Sequence, residues 1–157
     1  MSEDINSVPI LLRREIEALI AVPLIKAFAE QFGEEKTVEI AGKVITQLAE
    51  ENGRLLADML GGNQLSDLKK MVDMFGESGA LEVEFAGETE TSSRFNVLRC
   101  KYAERYRELG VHEYGVLLSC ARDEALFKGF NSDFKFTRTK TLMEGHDCCN
   151  HRYTLET

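Results

Sequence analysis

The apolar pattern of this chain first changes period between Phe75 and Leu81, from near 3.6 to 2, and that change restricts the fold to a helical part followed by a strand-bearing part. Before it, apolar residues recur three or four positions apart, as one face of a helix requires. From Val8 to Phe32 the residues Leu12, Ile16 and Leu19 form such a stripe, and Pro23 predicts a kink or a division into two short helices. Gly33 ends that segment. Glu34 to Leu60 reads as one long amphipathic helix, with Val38, Ala41, Ile45, Leu48, Leu55 and Met59 on one face and Gly61-Gly62 as its stop. A third helix is expected from Leu65 to Phe75, with Leu68, Val72 and Phe75 inward.

After the change, Leu81, Val83 and Phe85 alternate with Glu82, Glu84 and Ala86, and a polar link leads to Arg94–Cys100, where Phe95 and Val97 alternate again. This spacing predicts a β-hairpin. Helix returns around Tyr102, Tyr106 and Leu109 up to Gly110, and again from Glu113 to Phe127. A second hairpin is predicted to pair Phe134–Leu142 with Cys149–Leu155, turning through Glu144-Gly145-His146-Asp147. The order is three helices, hairpin, two helices, hairpin. It predicts an α+β fold in which an antiparallel sheet of about four strands is covered by helices. Residues 1–157 are expected to form one domain, with 1–78 as its helical part and 79–157 as the part carrying the site.

Apolar residues make up 43% and charged residues 29% of the chain, the balance of a folded globular protein. The net charge is -8, and no Lys/Arg cluster is dense enough to offset it, so nucleic acid is not the expected partner. The opening Met-Ser-Glu-Asp-Ile-Asn is acidic and does not resemble a secretory leader. The apolar run Ile16 to Phe28 is interrupted by Glu17, Pro23 and Lys26 and is too short to span a membrane. The expected location is the cytoplasm, where cysteines stay free, ligating or catalytic. Glu34–Leu60 is long for a small domain, and a homodimer through its apolar face is the expected assembly.

No cysteine precedes Cys100; the others are Cys120 and the pair Cys148-Cys149. In a helix Cys120 and Asp123 share a face, an arrangement that suits a nucleophile with its proton partner, two metal ligands, or a small core residue beside a solvated acid. Alternation along the last strand puts Cys149, His151 and Tyr153 on one side and Cys148 on the other. His151 there reads as a hydrogen-bonded core histidine. Arg138 shares its strand side with Phe134 and Phe136, so its guanidinium needs an anion: a substrate carboxylate, or an internal acid such as Glu144 or Asp123. The thiols with His146 or Asp123 would also suit a divalent metal such as zinc, although no Cys-x₂₋₄-Cys pair is present. The glycines form neither a phosphate loop nor a dinucleotide fingerprint.

The stretches Phe95-Asn-Val-Leu-Arg-Cys100 with Tyr102 and Tyr106, Leu118-Ser-Cys120-x-x-Asp123, Thr137-Arg-Thr-Lys-Thr-Leu-Met-Glu-Gly145 and Cys149-Asn-x-Arg-Tyr153 resemble the L-2-amino-thiazoline-4-carboxylic acid hydrolase family. At His151 that family's pattern carries an aromatic such as Phe. The resemblance implies hydrolytic opening of a 2-aminothiazoline-4-carboxylate-type ring at its amidine carbon, giving an N-carbamoyl-cysteine-type product. On that reading Cys120 or Cys149 is the nucleophile or helps hold a metal that activates water. Asp123 is base or orienter, Arg138 the carboxylate clamp and Glu144 an auxiliary acid, with Cys100 completing the cluster. The order of elements is also similar to 4-vinyl reductase and TRAPP-subunit domains. The competing expectation is a non-enzymatic domain whose cysteines serve small-molecule or metal binding or sensing.

Overall fold

The computed structural model describes residues 4–156; residues 1–3, which open the acidic N-terminal stretch, and residue 157 lie outside them. The first three helices are α1 (Ile10–Phe32), α2 (Glu34–Leu60) and α3 (Leu68–Phe75). A hairpin of β1 (Leu81–Glu88) and β2 (Ser92–Cys100) follows, then α4 (Lys101–Glu108), α5 (Ala121–Phe130), β3 (Phe134–Thr137) and β4 (Cys149–Leu155). The strands form one antiparallel sheet in the order β1-β2-β4-β3. The α+β class, the helical first half and the four-strand sheet are therefore as expected. Among the described residues no helix is long and apolar enough to cross a membrane.

Helix α1 runs through Pro23 without a break. Proline removes one backbone donor and frees the carbonyl four residues back. Pro23 and Leu19 both lie on the exposed side, where water can take up that carbonyl, while Ala18, Val22 and Ile25 are buried. The expected inward stripe Leu12, Ile16 and Leu19 is thus on the outside. Apolar residues surround α1 on nearly every side, so their spacing could not choose the buried one. The predicted face of α2 also divides. Ile45 is buried and Val38 and Ala41 partly so, but Leu48, Leu55 and Met59 are exposed; the inner face is completed by Ala49 and Gly53.

Gly53 decides how closely α2 meets α5. A Cβ there would overlap the backbone of Leu126 and Phe130, and a Cβ on Gly129 would overlap the backbone of Glu50. Two glycines therefore let the helices cross almost backbone to backbone. Helices α2, α3 and α5 cover one face of the sheet through Ala49, Met71, Val72, Phe127 and Phe130 against Phe95, Val97 and Tyr153. A second cluster joins α1, α2 and α4 through Val22, Ile45, Tyr106 and Leu118. Cys100 and Leu142 pack against both clusters and stand at their seam.

The second hairpin is shorter than expected. Pairing with β4 stops at Thr137, opposite Arg152, and residues 138–148 leave the sheet as a loop. Side chains take over the ladder's role there: the Asn150 carbonyl accepts from the backbone N–H of Thr139 and Lys140 (3.0 and 2.8 Å), and Thr141 Oγ1 caps the turn Leu142–Glu144. The loop is fastened from outside as well, since Arg107 donates to the carbonyl of Leu142.

Candidate functional site

Just before α5 the chain widens into one π-helical turn, Val116–Cys120, a departure from regular geometry that recurs at functional sites. Cys120 ends that turn and Asp123 lies in the first turn of α5. Arg138, the first residue beyond β3, donates to the Asp123 carboxylate and to the backbone carbonyl of Cys120 (3.0 Å). Its guanidinium also lies over the Phe136 ring, 5.4 Å from the centroid, so strand alternation does aim it at the helix layer. Of the two partners considered for Arg138, a substrate acid or an internal one, the structure contains the internal pair. The Arg138 side chain is 11% exposed and that of Asp123 33%, so the carboxylate keeps a route to water. Crowding by apolar neighbours pushes the Asp123 carboxyl up while Arg138 pulls it back down. Burial works against the charge on Arg138, but Asp123 and Cys120 nearby hold it cationic.

Three thiols feel the pair: the Asp123 charge acts on Cys100, Cys120 and Cys149, and that of Arg138 on Cys120 and Cys149. Burial pushes the Cys100 thiol up to about 11. It raises Cys120 further, with the Asp123 charge adding to the effect and Arg138 opposing it. Cys149 is raised by burial too, eased by the backbone N–H of Leu142, which donates to its sulfur (3.1 Å). All three are resting thiols, not thiolates. All four cysteines are free, including Cys148, which lies at the end of the loop just before β4.

Beneath the thiols the inward face of β4 is aromatic. Tyr153 is fully buried, and its hydroxyl meets His151 Nδ1 at 3.1 Å. His151 stacks on Phe95 with centroids 4.8 Å apart. Burial, with Arg138 and Arg152 adding, pushes its imidazole down to about 3, so it is neutral. Glu144 is not brought to this cluster: it sits on an exposed turn, bound to the Thr141 hydroxyl (2.9 Å). His146 lies on the same turn, with Nδ1 against Thr141. Among the described residues no three His, Cys, Asp or Glu side chains converge as a metal site would require. The donor set does not fit zinc. Sequence reasoning quoted Asn150 within Cys149-Asn-x-Arg-Tyr153 but gave it no role, and it missed the π turn, which no residue type marks.

The protein is thus an α+β domain in which a partly buried acid–guanidinium pair, bordered by thiols, joins the sheet edge to the helix layer. The sequence profile described as L-2-amino-thiazoline-4-carboxylic acid hydrolase matches residues 13–153, and the chain belongs to that family. Among solved structures it is similar to the phenol-responsive sensory domain of the transcription activator PoxR with phenol, at 12% sequence identity and a TM-score of 0.56. That likeness covers 93% of this chain and 76% of the other, and it concerns the fold. No curated protein matches the chain significantly.

Proposed function

We propose that the protein hydrolyses the ring of a 2-aminothiazoline-4-carboxylate-type compound, releasing an N-carbamoyl-cysteine-type product. The observation that carries this reading is the Asp123–Arg138 pair bound to the Cys120 carbonyl, in a chain of this family. A substrate carboxylate entering beside Arg138 competes with Asp123 for the guanidinium and can take two parallel hydrogen bonds. Asp123, released into apolar surroundings, then becomes a stronger base.

Cys120 is the thiol one helical turn from that base. Asp123 accepts the Cys120 proton as the sulfur adds to the amidine carbon of the ring. The ring C–S bond breaks, and the departing sulfur takes the proton back from Asp123. This leaves an isothiourea joined to Cys120. Water adds to the same carbon, the Cys120 sulfur leaves and is reprotonated, and the urea product is freed. Overall one water is consumed and no electrons are transferred. Cys149 is a weaker candidate because its sulfur already holds the loop through Leu142. Cys100 lines the seam, and Glu144 on its exposed turn would act only if the loop moved inward. The four free thiols support a cytoplasmic location.

The test is turnover and mass spectrometry of Cys120→Ala and Cys149→Ala in reduced protein, with and without chelator. The proposal expects loss of at least about 10³-fold for Cys120→Ala, a trapped adduct on Cys120 in the wild type, and no chelator effect. Full activity in both variants would end the thiol route. A second reading, a non-catalytic small-molecule-binding domain, is supported by the likeness to a phenol-responsive sensory domain. Saturable binding of the thiazoline without product would favour it.

A further inference from the structure

The outer surfaces of α1 and α2 carry more apolar area than a monomer needs to expose. On α1, Ile16, Ile20 and Leu24 follow each other at four-residue spacing, and on α2 Ile40, Val44 and Leu48 do the same; each is roughly half exposed. The α1 ridge continues to Phe28 and Phe32, whose rings stack 6.2 Å apart. Between the ridges lies an open groove of about 930 Å³. Each exposed side chain contributes on the order of 100 Å². Together they exceed the roughly 300–600 Å² patch of an ordinary monomer and approach the roughly 800 Å² that one partner buries in a stable complex.

Shape selects the occupant. From Ile16 to Phe32 the ridge runs for roughly 24 Å at 1.5 Å per residue, longer than a small ligand but matched to another helix. A membrane surface is a poor match, because the chain carries a net charge of -8 and anionic lipid would repel it. Ridges spaced by four residues interdigitate with ridges of the same spacing, the commonest mode of helix packing. This face presents such ridges on two antiparallel helices and so complements a copy of itself under a two-fold axis. Charged pairs such as Glu39–Lys43 (2.5 Å) and Glu50–Arg54 (2.9 Å) on α2 supply the polar rim such an interface carries.

We propose that the α1–α2 face is the interface of a homodimer, in which the helix pairs of two copies pack across the groove. The proposal does not depend on the reaction assigned above. Size-exclusion chromatography with light scattering on the full chain tests it. Wild type should elute at twice the chain mass at micromolar concentration. Ile20→Glu with Val44→Glu should weaken the dimer by about 100-fold or more while keeping the native circular dichroism, since both positions are exposed in one copy. Leu98→Glu, at an exposed apolar residue of the sheet, should remain dimeric. A monomeric wild type overturns the proposal, whether free in solution or carried onto phosphatidylcholine vesicles. So does a doubly substituted protein that stays dimeric, or dissociation by Leu98→Glu alone.

Discussion

Arg138 and Asp123 lie fifteen residues apart in the chain, and their ion pair ties the end of β3 to the start of α5. The same guanidinium holds the carbonyl of Cys120, so one side chain couples the sheet edge, the helix and the π turn before it. Asp123→Asn leaves Arg138 cationic and mostly buried without its anion. Because the carboxylate is 33% exposed, the cost lies between that of a surface pair and that of a buried one, about 2 kcal/mol. Urea denaturation should show this loss. Turnover should fall much further than stability, because the same change removes the proposed base.

A second prediction concerns the helix crossing. In an exposed helix, replacing Gly53 by Ala would stabilise by up to about 1 kcal/mol. Here the added methyl meets the backbone of Leu126 and Phe130, which has no rotamer with which to yield. The overlap wins, and Gly53→Ala or Gly129→Ala should lower stability by about 3 kcal/mol in denaturant titrations. A neutral or stabilising outcome would mean the crossing is wider.

His151 predicts an acid limit. Its folded-state value is pushed down to about 3 from an ordinary 6.5, so below 6.5 the unfolded chain binds a proton that the folded one refuses. Stability from this residue is complete above pH 6.5 and falls as pH drops toward 3, by about 1.4 kcal/mol per unit. His151→Phe should flatten that slope in thermal melts. It should cost about 1 kcal/mol at neutral pH, because the Tyr153 hydroxyl loses its partner.

Cys100 predicts the opposite limit. Its folded value of about 11 stands above the ordinary 9.0, so the unfolded chain releases its proton first. Stability is intact below pH 9 and falls through pH 11, again by about 1.4 kcal/mol per unit. Cys100→Ala should lessen the alkaline slope, and an unchanged slope would assign it to other groups.

The element order was legible in the chain because helical spacing and strand alternation occupy separate stretches. So was the common side of Cys149, His151 and Tyr153, which follows from alternation in β4 alone. The phase of α1 was not, since Leu12, Ile16 and Leu19 fit the helical period as well as the buried Ala18, Val22 and Ile25 do. The end of β3 at Thr137 was hidden too, because it depends on Asn150 bonding backbone groups ten and eleven residues away. At the site, sequence could offer Asp123 as a partner for Arg138 but not choose it. Their pairing is tertiary, and Glu144 satisfied the same chemical need on paper.

The most direct measurement is incubation of reduced, full-length protein with L-2-amino-thiazoline-4-carboxylate, following N-carbamoylcysteine by liquid chromatography and mass spectrometry. The account predicts product from the wild type, none above background from Asp123→Asn, and the same rates with chelator present. Absence of product from folded wild-type protein, or undiminished product from Asp123→Asn, would contradict it.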